Sequence, residues 1–323
     1  MISIIIPAHN AEKSIQRCIL SWIDQIYNDL EIIIVENGSN DNTLSICQEL
    51  AGQDDRICLV RTEEMGVSNA RNMGIRCARG DIIGFCDADD YVEKIDFFKV
   101  ENLMKEYQML VFGYNDVTDE GEIIKTNIEG GRSIDTPSVL IDNVFLNERI
   151  MGSVWNKFFR KEILNDIFFH KELSYCEDTN FLIRVLASNI NIKIKYIPRV
   201  IYNYVCNPKG VTNDFQNMFA GRELKYVQAL ECIKKDCVLS ECNQSSLNAA
   251  IVNICMNFLS PIIYCDFHKY KKSQIDYMYN CLKLYKKDYL ASNYIKIKRK
   301  IKLLLILFER NLMFVKRRSD IFE

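Results

Sequence analysis

Three carboxylates fall within four residues at Asp87-Ala88-Asp89-Asp90, directly after the uncharged run Ile82-Ile83-Gly84-Phe85-Cys86. Carboxylates crowded in this way repel one another, and a hard divalent cation relieves the repulsion by taking oxygen ligands and bringing a phosphate with it. The chemistry suggested is a Mg2+ or Mn2+ site for a diphosphate; a solvated acidic turn after a strand is the alternative reading. A second acidic pair, Glu177-Asp178, stands before the apolar stretch 179–186, where Asp178 suits a helix N-cap. The histidines, His9, His170 and His268, are too few and too dispersed for a zinc site.

To put the first acidic run within reach of a small molecule, residues 81–86 must form a strand that ends at the carboxyl edge of an open α/β sheet, where ligand crevices lie. The flanking pattern agrees. Residues 2–6 and 32–35 read as strands buried on both faces, and 57–60 as a third strand. Ile15, Cys18, Ile19, Trp22, Ile23 and Ile26 fall on one helical face, and Asn40 or Asp41 is placed to cap a helix carrying Leu44 and Leu50. Gly66 opens a further helix whose small residues allow close packing on the sheet. Strands alternating with helices of this length specify right-handed crossovers and a mostly parallel sheet with helices on both faces. Next come a helix through Phe97, Phe98, Leu103, Met104 and Tyr107, a strand over 109–114 and a hairpin around Glu120-Gly121. A loop over 130–137, a helix over 139–146, a strand over 156–160 and two strands, 192–197 and 200–205, flanking Pro198 follow. Beyond Asn213 the pattern is helical, with Pro261 expected to break or kink one element.

At 323 residues the chain has room for one large domain with an extension, or for two domains. With 41 basic and 43 acidic residues its net charge is −2, so no global field points to nucleic acid. Thirteen cysteines are scattered through apolar runs without a Cys-x-x-Cys, the usage of a reducing compartment. The N-terminal run to Pro7 lacks the basic flank and length of a signal peptide, and the apolar run 303–308 is far below the ~20 residues a spanning helix needs. The expectation is a cytoplasmic protein without a transmembrane segment.

Taken in order, Ile4-Ile5-Ile6-Pro7-Ala8-His9-Asn10, Glu31-Ile32-Ile33-Ile34-Val35-Glu36-Asn37-Gly38-Ser39, Gly66-Val67-Ser68-Asn69-Ala70-Arg71-Asn72, Asp87-Ala88-Asp89-Asp90 and Glu177-Asp178 resemble the successive motifs of the family 2 glycosyltransferases. The resemblance covers roughly the first 210 residues. It implies the GT-A fold, a Rossmann-like, mostly parallel α/β sheet flanked by helices, and an inverting, metal-dependent enzyme fed by a nucleotide-diphosphate sugar. By the same resemblance residues 1–212 form the catalytic domain, with a nucleotide-sugar-binding half over 1–114 and an acceptor-binding half over 115–212. Residues 213–323 would be a helical C-terminal region.

The resemblance also implies roles. Pro7, Ala8, His9 and Asn10 would leave strand one beside the nucleotide base, with His9 where the family commonly has an aromatic ring. Asn37 replaces the family's second carboxylate after strand two; its amide both donates and accepts, so it could pair with a pyrimidine edge. Gly66 and Arg71 would face the donor diphosphate, with a structural salt bridge as the alternative for Arg71. Asp87 and Ala88 would approach the ribose or sugar, Asp89 would ligate the cation, and Asp90 would cap the next helix. Asp178 would be the base that takes the proton from the acceptor hydroxyl. Glu177, Trp155 and Lys157 fall on the acceptor side, Trp155 as a sugar platform or as a core residue. The stretch from Tyr202 to Thr212 resembles the loop that closes over the donor, with Val205 in the place of a basic residue and Lys209 as its possible substitute.

Between Lys296 and Arg318 nine basic residues face one acid, Glu309, while Ile297, Ile301, Leu304, Leu305, Phe308 and Leu312 form an apolar helical face. Such a helix lies on an anionic membrane surface or packs on the catalytic domain. The reading is an inverting transferase of a hexose or N-acetylhexosamine from a UDP-sugar to a growing polysaccharide or lipid-linked oligosaccharide, peripheral on the inner face of the membrane. A sugar nucleotidyltransferase and a non-catalytic nucleotide-sugar-binding scaffold are the alternatives.

Overall fold

Two isoleucine-rich strands, β1 (Ile2–Ala8) and β2 (Leu30–Glu36), run side by side in parallel with Ile4 opposite Ile32 and Ala8 opposite Glu36, and every residue of both is buried. A strand covered on both faces has no side to give to water, which is why these segments are largely apolar rather than alternating; the buried exceptions include Ser3 and Glu31, which hydrogen-bond to each other at 2.6 Å. In this computed structural model, which describes residues 1–128, 134–146, 152–164, 166–206, 223–264 and 272–319, β3 (Ile57–Arg61) extends the parallel set beyond β2. On the other side β4 (Ile82–Phe85) pairs with β1. The crossovers are α1 (Ile15–Ile23), α2 (Thr43–Ala51) and α3 (Val67–Cys77).

Strand order across the sheet is β3-β2-β1-β4, followed by β9 (Lys157–Arg160), β6 (Met109–Val117), β10 (Ile194–Val205) and β5 (Tyr91–Val92). The antiparallel β9 separates β4 from β6; β6 and β10 are parallel, and the short β5 closes the far edge antiparallel to β10. The hairpin strand β7 (Ile123–Asn127) pairs with β6, and β8 (Ile134–Asp135) pairs with β10. Helices α4 (Phe97–Met104) and α6 (Glu177–Ser188) complete this part of the chain, and α5 (Pro137–Leu146) follows β8 in sequence. This is the flanked, mostly parallel sheet expected from the sequence.

Two features hold the carboxyl edge in place. A Cβ on Gly74 would lie 2.3 Å from Ile5 Cγ2, so the absence of a side chain is what lets α3 sit directly on β1. Beneath the tip of β4, Phe85 meets Phe169 and Phe181 edge-on at 5.6 and 6.2 Å, and those two rings stack on each other at 4.0 Å. Each such pair contributes about 0.5–1.5 kcal/mol beyond its buried area. The cluster ties the residue before Cys86-Asp87 to the first turns of α6.

Several local expectations change. Ile26 lies past the end of α1 and is 95% exposed, because the helix stops at Ile23. Residues 194–205 form one strand rather than two: register shifts between Ile197 and Val200 and between Val200 and Tyr202 absorb Pro198, which has no N–H to give a ladder. The loop expected over 130–137 contains β8 and the start of α5 among its described residues.

The chain divides into two compact units, Met1–Leu140 with Arg149–Asp214 and Ile141–Glu148 with Phe215–Glu323. The second contains helices α7 (Glu223–Asp236), α8 (Glu241–Tyr264), α9 (Lys272–Ala291) and α10 (Ile297–Ser319). Asn243 of α8 donates to Asp142 at 2.8 Å, and Asp288 of α9 accepts from Ser245 and Asn248 at 3.0 and 2.8 Å. Helix α8 runs unbroken through Pro261 and ends at Tyr264; a proline one turn from a helix end forfeits a single backbone bond. Among the described residues no helix is long and apolar enough to cross a membrane.

Candidate active site

Gly66 carries a φ of +112°, a conformation open to glycine, and turns the chain into α3. Arg71, in the second turn of that helix, is 3% exposed, and its guanidinium reaches three carboxylates. Nη2 donates to Asp87 at 2.8 Å, while Nη1 donates to Asp178 at 2.6 Å and to Glu177 at 3.0 Å. Its carbon lies 5.3 Å from the centre of the Phe169 ring. Burial disfavours the charge, but Asp178, Asp87 and Glu177 outweigh it and hold Arg71 firmly cationic. Arg71 makes the salt bridges named as the alternative reading, to three carboxylates at once. Four segments distant in sequence meet at this one side chain: α3, the tip of β4, α6 and the segment that carries Phe169.

Glu177 and Asp178 form the first turn of α6, where negative charge complements the helix dipole. Cys176, in the left-handed region at φ 59°, is the N-cap, so the cap expected at Asp178 lies two residues earlier. Burial pushes the Asp178 carboxyl up to about 7; Arg71 opposes the shift, Glu177 and Asp87 add to it, and Lys157 opposes it. A carboxylate balanced near neutrality, mostly buried and anchored by one oxygen, has the properties of a general base.

The acidic run after β4 splits into three environments. Asp87 is partly exposed and bound to Arg71, and its N–H donates to the Tyr202 hydroxyl at 3.1 Å. Ala88 is buried. Asp89 is exposed at the sheet edge, and crowding by the protein followed by the charge of Asp87 raises its carboxyl to about 6. Asp90 is buried and accepts from the Tyr202 hydroxyl at 2.6 Å and from the Val205 N–H at 2.8 Å; burial and its two acidic neighbours hold its pKa well above the ordinary range. Asp90 therefore stitches the acidic loop to β10 instead of capping α4, whose cap is Asp96, accepting from Lys99 N–H at 3.0 Å. Arg17 of α1 fixes the loop from the other side, donating to the Asp89 carbonyl at 2.9 Å.

At the end of β1, Pro7 and Ala8 are buried while His9 and Asn10 are exposed. His9 Nδ1 donates to the Asn37 carbonyl at 2.9 Å, which orients the ring, and Nε2 accepts from Asn10 at 3.2 Å. Asn37 is 3% exposed, and both ends of its amide are used: Nδ2 donates to the Glu64 carbonyl at 2.7 Å and Oδ1 accepts from the Gly66 N–H at 2.8 Å. Asn37 thereby braces the entry to α3.

Trp155 and Lys157, two positions apart in sequence, take different surroundings. Trp155 is 5% exposed and stacks on Tyr202 and Tyr204 at 4.4 and 5.7 Å, so it is a core residue and no platform for a sugar. Lys157 is buried in β9, its Nζ donating to the Ser153 carbonyl and Asn156 Oδ1 at 2.6 and 2.7 Å; burial lowers its pKa to about 7, against the pull of Asp178. Tyr202, Asn203 and Tyr204 belong to β10 rather than to a closing loop, and residues 207–212, with Lys209, lie outside the described residues.

Residues 3–168, just over half the chain, match the family described as glycosyl transferase family 2. The chain belongs to that family. A similar curated relative is the glycosyltransferase EpsJ of Bacillus subtilis, 30% identical over 218 residues that cover 66% of this chain and 63% of EpsJ. The family 2 chain therefore spans less than two thirds of that relative's length. Among solved structures it resembles S. aureus TarS 1-349 in complex with UDP-GlcNAc, with a TM-score of 0.62, 20% identity and coverage of 89% and 81% of the two chains. It also resembles the Pyrobaculum calidifontis mannosyltransferase PcManGT in complex with GDP-Man and Mn2+, with a TM-score of 0.54, 17% identity and coverage of 96% and 86%. At these identities the likeness is one of fold.

The donor set fits a divalent cation of one kind. Among the described residues no three acidic, cysteine or histidine side chains are grouped to hold a metal by themselves. Mg2+ and Mn2+ are commonly held by one or two carboxylates and completed by substrate phosphates, and Asp89, crowded by Asp87 at an exposed edge, is such a partial ligand set. Tyr202 orders the acidic loop from both ends, and no sequence pattern singles out its hydroxyl for that role, which it acquires only when β10 is threaded into the sheet.

Proposed function

We propose that this family 2 chain transfers a hexose or N-acetylhexosamine from a UDP-sugar to a hydroxyl of a growing polysaccharide or lipid-linked oligosaccharide, with inversion at the anomeric carbon. The observation that carries the reading is the Arg71 clamp, which brings Asp178 and Asp87 to one guanidinium although they come from different elements. In this reading Asp178 takes the proton of the acceptor hydroxyl as its oxygen bonds to the anomeric carbon and the bond to the diphosphate breaks. Arg71 positions Asp178 and keeps enough of it ionised at neutral pH to act. Glu177 and Lys157 set the local field around that proton. Asp89, with Asp87 beside it, would hold Mg2+ or Mn2+, whose charge stabilises the leaving nucleoside diphosphate. The UDP donor is supported by the UDP-GlcNAc complex of TarS, and the cation by Mn2+ in PcManGT.

A panel of UDP- and GDP-sugars with an oligosaccharide acceptor, read by nucleoside diphosphate release and by the anomeric configuration of the product, tests this. UDP release that needs Mn2+ or Mg2+, falls by about 10^2–10^4 in Asp178→Asn and leaves donor binding intact is the expected result. Pyrophosphate release would instead assign a nucleotidyltransferase, and donor binding without turnover a scaffold.

A further inference from the structure

Helix α10 has two apolar faces, and one of them is uncovered. Leu303 and Ile306 are buried, and Arg299 Nη1 anchors the helix to α8 by donating to Asn253 at 2.6 Å. Ile297, Ile301, Leu304 and Phe308 point the opposite way and are between 51 and 69% exposed, with Leu305 beside them. At 3.6 residues per turn those four side chains share an arc of roughly 60° and a length of about 16 Å. On the same projection Lys298 and Lys302 flank the stripe on one side and Lys296 and Lys300 on the other, and residues 296–308 contain no acid. Lys300 is held against the end of α9, donating to the Leu290 carbonyl at 2.6 Å, while Lys296, Lys298 and Lys302 are exposed.

We infer that this face of α10 lies in the plane of an anionic lipid surface, with the Ile297-Ile301-Leu304-Phe308 stripe among the acyl chains and the flanking lysines at the headgroups. An apolar stripe edged on both sides by long cationic side chains is the arrangement an interfacial helix needs, because lysine stems extend the apolar face while their ammonium groups reach the phosphates. A second copy of the chain fits the stripe poorly, since pairing it with itself sets lysines against lysines. The buried face and the Arg299 anchor mean that the helix docks without leaving its own unit. The inference goes beyond the proposed transfer reaction and does not depend on it, as vesicle binding is read without donor, acceptor or metal.

The test is flotation of the full chain with vesicles of phosphatidylcholine alone and of phosphatidylcholine mixed equally with phosphatidylglycerol. The chain is expected to float with the anionic vesicles and to lose that binding at high salt. Lys298→Gln with Lys302→Gln, both exposed, should weaken binding about 25-fold, at about fivefold per lysine. Ile301→Asp with Leu304→Asp should abolish it with an unchanged helical circular dichroism signal, and if that variant misfolds the lysine pair decides. Equal binding to neutral vesicles, no binding to either, or variants that float like the parent would overturn the inference. So would a dimer that Ile301→Asp with Leu304→Asp dissociates while flotation persists.

Discussion

Arg71 and Asp178, 107 residues apart in the chain, are joined at 2.6 Å, and the same guanidinium holds Asp87 at 2.8 Å. Arg71→Met would leave three carboxylates without their shared partner at a buried position, which costs about 3–5 kcal/mol by urea denaturation. Because Arg71 lowers the Asp178 pKa, its loss should also move the acid limb of the pH–rate profile to higher pH. Arg71→Lys, which keeps the charge but not the fork, should recover part of that limb and little of the stability. An unchanged limb in Arg71→Met would separate Arg71 from the base.

The Asp178 carboxyl has its pKa raised from 3.8 to about 7, so between those values the folded chain binds a proton there that the unfolded chain does not. Stability from this group is full below about pH 4 and is lost as pH rises through about 7. Asp178→Asn should therefore gain stability relative to the parent between pH 5 and pH 8, on the order of a few kcal/mol. Paired denaturant titrations at the two pH values check the sign.

Lys157 shows the reverse linkage. Its pKa is lowered from 10.5 to about 7, so above pH 7 the unfolded chain binds the extra proton and stability rises with pH until about 10. Lys157→Met removes the titrating group, and the parent should gain on this variant steadily from pH 7 to pH 10 in thermal melts. A parallel pair of curves would show that Lys157 stays charged in the folded chain.

Asn37 braces two backbone groups, so Asn37→Ala removes the partners of the Gly66 N–H and the Glu64 carbonyl; both belong to exposed residues that water can reach, and the loss should cost about 0.5–1.5 kcal/mol per bond. Donor affinity should fall equally for UDP and for other nucleotides, since the effect runs through the entry to α3. A loss confined to uridine nucleotides would restore Asn37 to base recognition.

Gly74→Ala places a methyl group 2.3 Å from Ile5 Cγ2, and the clash must move α3 or β1. Overpacking of this kind costs about 1–3 kcal/mol, with Arg71 displaced on the same helix. The expected signature is a lower melting midpoint together with a reduced turnover number.

Much of the sheet was readable from one dimension. Strands β1, β2 and β4 are buried on both faces, so burial is written as mostly apolar runs, and Gly66 and the hairpin at Glu120-Gly121 announce turns that only their local conformations require. The acidic run and the Glu177-Asp178 pair could be singled out by residue type alone. Their partners could not. Whether Arg71 meets a phosphate or three carboxylates, whether Asp90 caps a helix or ties a loop to β10, whether Asn37 reads a base or braces a turn, and whether Trp155 is exposed or stacked all depend on which distant elements become neighbours. Local propensity acts over a few residues of contiguous chain, whereas a side chain's hydrogen-bond partners and its desolvation are set by elements about a hundred residues away, brought beside it only by the packing of the whole sheet.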